Sequence, residues 1–172
     1  VHGWEPWGYG LKAWSGDVVN AYDSSAAGDG SINLIKIWNP VEQEISYIDV
    51  VIRTAGSGLD SGQNFVGLYD TGGTRLAVSA DQASSWASNG YKHIALTAPI
   101  TLAVGWVYVA ILCNGTTRPS FARGIATAAG NLGLGSGQMR WASILTGQTS
   151  LPSSLTLSGM SEHSLSYWVG LS

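Results

Sequence analysis

The sequence predicts an all-β domain, a two-sheet antiparallel β-sandwich of jelly-roll-like type with few or no helices. Three observations predict it. Between residues 32 and 124, short runs of β-branched and aromatic residues are broken at regular intervals by Gly, Asn and Pro. The chain is rich in turn formers and flat rings, with 23 Gly, 8 Trp and 7 Tyr. Helical signal is confined to residues 81–86, too short for more than about one turn. A length of 172 residues suits one domain, 1–172, led by an irregular Trp-rich segment at 1–30.

That leading segment sets Trp4, Trp7, Tyr9 and Trp14 among Gly and Pro, so its aromatics either plug one end of the sandwich or contact a neighbour. Residues 32–38 form the first strand and end at Asn39-Pro40. In 45–53 one parity carries Ile45, Tyr47, Asp49, Val51 and Arg53 and the other Ser46, Ile48, Val50 and Ile52. Both faces are partly apolar, which predicts a central strand. Residues 65–69 and 75–79 flank Asp70-Thr-Gly-Gly-Thr74, the strongest hairpin signal, because the Gly pair takes positive φ without steric cost. Residues 91–96 read as a strand ended by Ala98-Pro99. After a turn at 103–105, residues 106–113 read as a buried strand closed by Asn114-Gly115. The Gly-rich stretch 130–137 reads as a long ordered loop or an assembly contact, and 139–145 and 165–171 as two returning strands.

Composition excludes several classes of function. Eight Lys and Arg without a cluster, and a net charge of -3, offer no footprint for nucleic acid. No 18-residue apolar run predicts membrane insertion. Charged residues are only 11% of the chain, so small and neutral residues fill positions that Lys and Glu normally hold, which points to a surface hidden in an assembly. Cys113, in an apolar run, reads as a buried small hydrophobe.

No catalytic machinery is recognisable, and the expectation is a protein that is not an enzyme. No Ser has the flanking Gly residues of a nucleophile elbow. His2, His93 and His163 lie far apart without metal-ligand spacing, and His93 reads as a surface or half-buried strand residue. Asp23, Asp29, Asp60, Asp70 and Asp81 sit beside Gly or Ser, where Asp serves to hold turns. No cofactor is expected. Calcium, which oxygen ligands on loops suit, has its only support in residues 23–30 and 60–64, and neither matches the spacing of a known calcium loop. Asn114-Gly115-Thr116 fits a glycosylation sequon and, more simply, an Asn-Gly turn.

Glycan binding has the most direct residue support, since exposed rings stack on the apolar face of a sugar while amides bind its hydroxyls. Trp86, Asn89 and Tyr91 form the candidate ligand-binding loop, and Trp4, Trp7 and Trp14 the candidate assembly contact.

Several pieces of the chain, over residues 10–124, carry a family likeness: Gly10-Leu-Lys-Ala-Trp14, residues 54–69 ending in Gln63-Asn-Phe-Val-Gly-Leu-Tyr69, Gly73-Thr-Arg-Leu-Ala77, and 114–124 ending in Phe121-Ala-Arg-Gly124. Together they resemble a β-sandwich domain of tail-fibre or minor tail proteins of phages and prophages of actinobacteria. The resemblance implies the sandwich fold and a location in the virion. It carries over no catalytic or ligand residue. The leading expectation is a structural protein on the exterior of a phage tail or capsid that contacts other virion proteins and contributes to host-surface attachment, with a glycan as the receptor. Threefold symmetry is common in fibres, so a homotrimer is the expected assembly. The alternatives are a capsid or tail decoration protein anchored by the N-terminal tryptophans, and an extracellular, secreted carbohydrate-binding module.

Overall fold

The computed structural model describes residues 5–124 and 131–172. Two six-stranded antiparallel sheets pack face to face, as the alternating runs predict. The front sheet holds β1 (Ala13–Trp14), β2 (Asp23–Ala26), β4 (Gln43–Thr54), β8 (Gly90–Leu102), β11 (Ser120–Arg123) and β14 (Val169–Leu171). The back sheet holds β3 (Ile32–Asn39), β6 (Phe65–Tyr69), β7 (Arg75–Val78), β9 (Gly105–Leu112), β12 (Trp141–Ile144) and β13 (Ser161–Glu162), in the order β13-β12-β3-β9-β6-β7. A small ladder joins β5 (Ser57–Leu59) to β10 (Gly115–Thr117).

The long strand β4 is central, as its two apolar faces require. On one edge it pairs with β8, and on the other with β14 at residues 48–50 and β11 at 52–54. Ile48, Val50 and Ile52 point into the core, while Tyr47, Asp49 and Val51 point away from it. The strict two-residue period fails at Ile45, which is also in the core. A bulge explains this: the amides of Ser46 and Tyr47 both donate to the carbonyl of Ser172, at 2.8 and 2.9 Å, and the extra residue turns Ile45 inward.

A second departure lies in β8, which runs through Ala98-Pro99 to Leu102 instead of stopping there. Residues 96–99 lie opposite the single residue 46 of β4, so Pro99 sits where no ladder hydrogen bond is asked of it. The bulged stretch turns to the other sheet, where Leu96 bridges Ser79 and the Thr97 hydroxyl donates to the carbonyl of Val78 at 2.9 Å.

Three apolar layers result. The largest lies between the sheets. A second covers the outer side of the back sheet, where Leu151, Leu155, Leu157 and Met160 pack on Ile32, Leu34, Tyr69 and Tyr108. The third covers part of the front sheet, where Leu11 and Ala21 pack on Ala122 and Trp168. The sandwich therefore reaches well beyond residues 32–124. The leading segment supplies β1 and β2, and its Leu11, Ala13 and Ala27 are buried. Residues 131–137 form turns held by buried Asn131, whose side-chain oxygen accepts the amides of Arg140 and Trp141 at 2.7 and 3.1 Å. Gly130 lies outside the described residues. The one α-helix among the described residues, α1 (Ala83–Trp86), is a single turn.

Candidate functional site

The outer face of the front sheet carries the chemistry. β4 presents Tyr47, Asp49 and Val51 there, the antiparallel register sets His93 and Tyr91 of β8 opposite Asp49 and Val51, and β14 sets Gly170 opposite Asp49. Asp49 is fully buried, and its carboxylate accepts three hydrogen bonds: from the Tyr91 hydroxyl at 2.5 Å, from His93 Nδ1 at 2.7 Å and from the Ser172 hydroxyl at 2.7 Å. An ionised carboxylate only accepts, so Nδ1 of the half-exposed His93 ring is the donor to it. The His93 ring stacks on Tyr47 with centroids 3.8 Å apart. Burial, and then the bond to Asp49, push the Tyr91 phenol well above the usual tyrosine range, so it is a fixed neutral donor.

Tyr91 also forms one wall of a cleft of about 240 Å³, lined by Tyr9, Leu11, Val18, Val51, Tyr91 and Trp168. The N-terminal segment supplies the opposite wall. It crosses the sheet because Gly170 has no side chain: a Cβ there would lie 3.0 Å from Leu11. Tyr9 is braced by Trp14, at 5.6 Å between ring centroids, and the Trp168 indole donates to the carbonyl of Gly16 at 2.9 Å. Fixed aromatic walls with a hydrogen-bonding rim can stack and orient a polar ring compound.

No family model matches the chain, and no curated protein matches it. The reading of the site therefore rests on its own geometry.

Of the candidate ligand-binding residues, Tyr91 lines the cleft and is 57% exposed. Asn89 is exposed in the preceding turn, where its carbonyl accepts from Lys92 Nζ at 3.3 Å. Trp86 requires correction. It is fully buried, packed edge-on against Phe121 at 5.3 Å, and has no face to offer a sugar. The helical turn of α1 points it inward, because a ring of this size is worth more to the core than to solvent. Of the candidate assembly residues, Trp4 lies outside the described residues, Trp7 is 58% exposed and Trp14 is half-buried. Trp7 and Trp14 share a crevice with Pro6, Trp38 and Pro40.

The segments weighed for calcium are occupied otherwise. Asp23 pairs with Arg123 at 2.6 Å, and Asp29 accepts the amide of Gly115 at 3.1 Å. Asn64 is buried, and its side chain donates to the carbonyl of Asp60 and accepts the amide of Asn114. Among the described residues no three His, Cys, Asp or Glu gather as a ligand set. Asn114 of the sequon is buried, with its amide donating to Gln63 and Gln148, so it serves the turn.

Sequence reasoning missed Asp49, Tyr9 and Trp168. The available signal was a carboxylate on an otherwise apolar central strand, at the same parity as Tyr47 and Val51.

Proposed function

We propose that this domain is a non-enzymatic binding module that takes a glycan in the aromatic cleft of its front sheet. One observation carries the reading: Tyr91 is more than half exposed while its hydroxyl is held by the buried carboxylate of Asp49. A tyrosine kept for packing would bury its ring, whereas a ring held still and left bare lowers the ordering cost of binding a ligand. The virion setting, as a tail-fibre or minor-tail domain assembled with copies of itself, rests on the resemblance across residues 10–124. In that setting the glycan is a host-surface receptor.

Binding to a broad glycan array, followed by titration of the best ligand, tests the reading. Saturable binding is expected, and Tyr91→Ala should weaken it about tenfold or more through loss of a stacking face. Absence of binding across the array, or an unchanged affinity in Tyr91→Ala, overturns it.

A second reading has its own support. Trp7 stands exposed beside the crevice with Trp14, Trp38 and Pro40, as expected of an anchor that docks a decoration protein on a capsid or tail.

A further inference from the structure

Beside the aromatic cleft, on the far side of Trp168, lies a second pocket of about 230 Å³. Trp168 and Trp141 line it, together with the polar residues Asp17, Asn20, Arg140 and Ser166. Trp168 lines both cavities, which places them side by side.

Arg140 is the unusual member. Its guanidinium carbon lies 4.6 Å from the centre of the Trp141 ring, and its Nε is buried with no hydrogen-bond partner among the described residues. The two ion pairs among the described residues are Asp49–His93 and Asp23–Arg123, so Arg140 pairs with no carboxylate there. Residues 1–4 and 125–130 contain no Asp or Glu, so neither stretch has a side-chain carboxylate to give it. The Nε nitrogen is closed off from solvent, so a ligand in the pocket meets the outer nitrogens of the fork, and an arginine fork without a carboxylate partner suits an anion. Asp17 shares the pocket; one of its oxygens accepts the amide of Val19 at 3.0 Å. Its charge disfavours a multiply charged ligand, while its carboxylate and the Asn20 amide suit sugar hydroxyls.

We infer that this pocket binds a saccharide unit bearing a single negative charge, with the Arg140 fork on the anion and Asp17, Asn20 and Ser166 on the hydroxyls. The inference rests on the glycan reading of the adjoining cleft and narrows it to anionic glycans. A carboxylate of a uronic-acid unit and a phosphodiester of a sugar- or glycerol-phosphate polymer offer Arg140 the same chemistry.

Calorimetric titration with three probes separates the possibilities: an oligogalacturonate, a poly(glycerol phosphate) and a neutral maltooligosaccharide. The protein should prefer one or both anionic probes, and the stronger of them identifies the anion. Arg140→Gln should weaken that binding about tenfold or more, and Arg140→Lys should restore it only in part, because an ammonium lacks the planar fork. Thermal melts of both variants verify that the fold is kept. Maltooligosaccharide binding that depends on Tyr91 but not on Arg140 overturns the anionic inference and leaves the cleft reading standing. Anion binding lost in Arg140→Gln but indifferent to Tyr91→Ala keeps the pocket and overturns the cleft. Failure of all three probes overturns the inference outright.

Discussion

Asp49 shows how one side chain ties a site to a fold. A carboxylate in the middle of a sheet is costly to bury unless its oxygens are satisfied, and here Tyr91, His93 and Ser172 satisfy them. Tyr91 and His93 share one oxygen and Ser172 takes the other, so the carboxylate has two distinct sides. Asp49→Asn keeps that pattern, with the amide oxygen facing the ring residues and the amide nitrogen donating to the Ser172 hydroxyl. Asp49→Ala leaves three part-buried donors with no acceptor. The alanine variant should lose about 2–4 kcal/mol in urea unfolding and the asparagine variant under about 1 kcal/mol. Equal losses in both would mean that the negative charge opposite His93, and not the hydrogen-bond pattern, holds the cluster. The outward parity of Asp49 could be read from the sequence, because alternation along residues 47–53 is local. Its partners could not, since Tyr91 and His93 lie more than forty residues away and only the strand register brings them alongside.

At the scale of elements, a similar knot of amides sets the loops at one end of the sandwich. The backbone amide of buried Asn64 donates to the Asp81 carboxylate at 3.0 Å, and its side chain donates to the carbonyl of Asp60 at 2.7 Å and accepts the backbone amide of Asn114 at 3.0 Å. Asn114 in turn donates to the carbonyls of Gln63 and Gln148. These bonds connect the loop before β6, the turn after β9 and the chain beyond β12. Asn64→Leu fills similar volume but strands the carbonyl of Asp60 and the amide of Asn114. It should cost about 2–4 kcal/mol by denaturant unfolding and speed amide exchange at Asn114. A loss under about 0.5 kcal/mol would show that water replaces the side chain. This capping role was legible, as Gln-Asn beside Gly62 signals a held turn. Strands 32–39 and 65–69 were legible too, their alternation and flanking breakers lying within a few residues. β1, β2 and β13 were not: each is two to four residues long, too short for a periodic signal, and exists through its partner strand. Pro99 misled because a proline ends a regular strand, and the bulge that accommodates it is set by pairing with β4.

Across the whole molecule, the leading segment is both structure and surface, and the two roles can be separated. Leu11 and Ala13 are buried, and this stretch is tied to β14 by the amide of Lys12 to the carbonyl of Leu171 at 2.7 Å and that of Ser15 to Val169 at 2.9 Å. Removing residues 1–14 therefore uncovers Trp168 and Gly170, takes away a wall of the aromatic cleft and leaves an edge of the front sheet unpaired. Loss of one buried leucine alone costs about 2–5 kcal/mol, so the truncated chain should melt roughly 5–15 °C below the intact one. Trp7, in contrast, is largely exposed, and Trp7→Ser should shift the melting temperature by only about 2 °C or less. If the tryptophan anchors the domain on a particle or on a second copy, Trp7→Ser loses attachment, read by co-sedimentation or light scattering, while glycan binding persists. Retained attachment moves the contact elsewhere. A truncated chain that melts where the intact one does would mean that the front sheet holds without β1 and that the segment is surface alone.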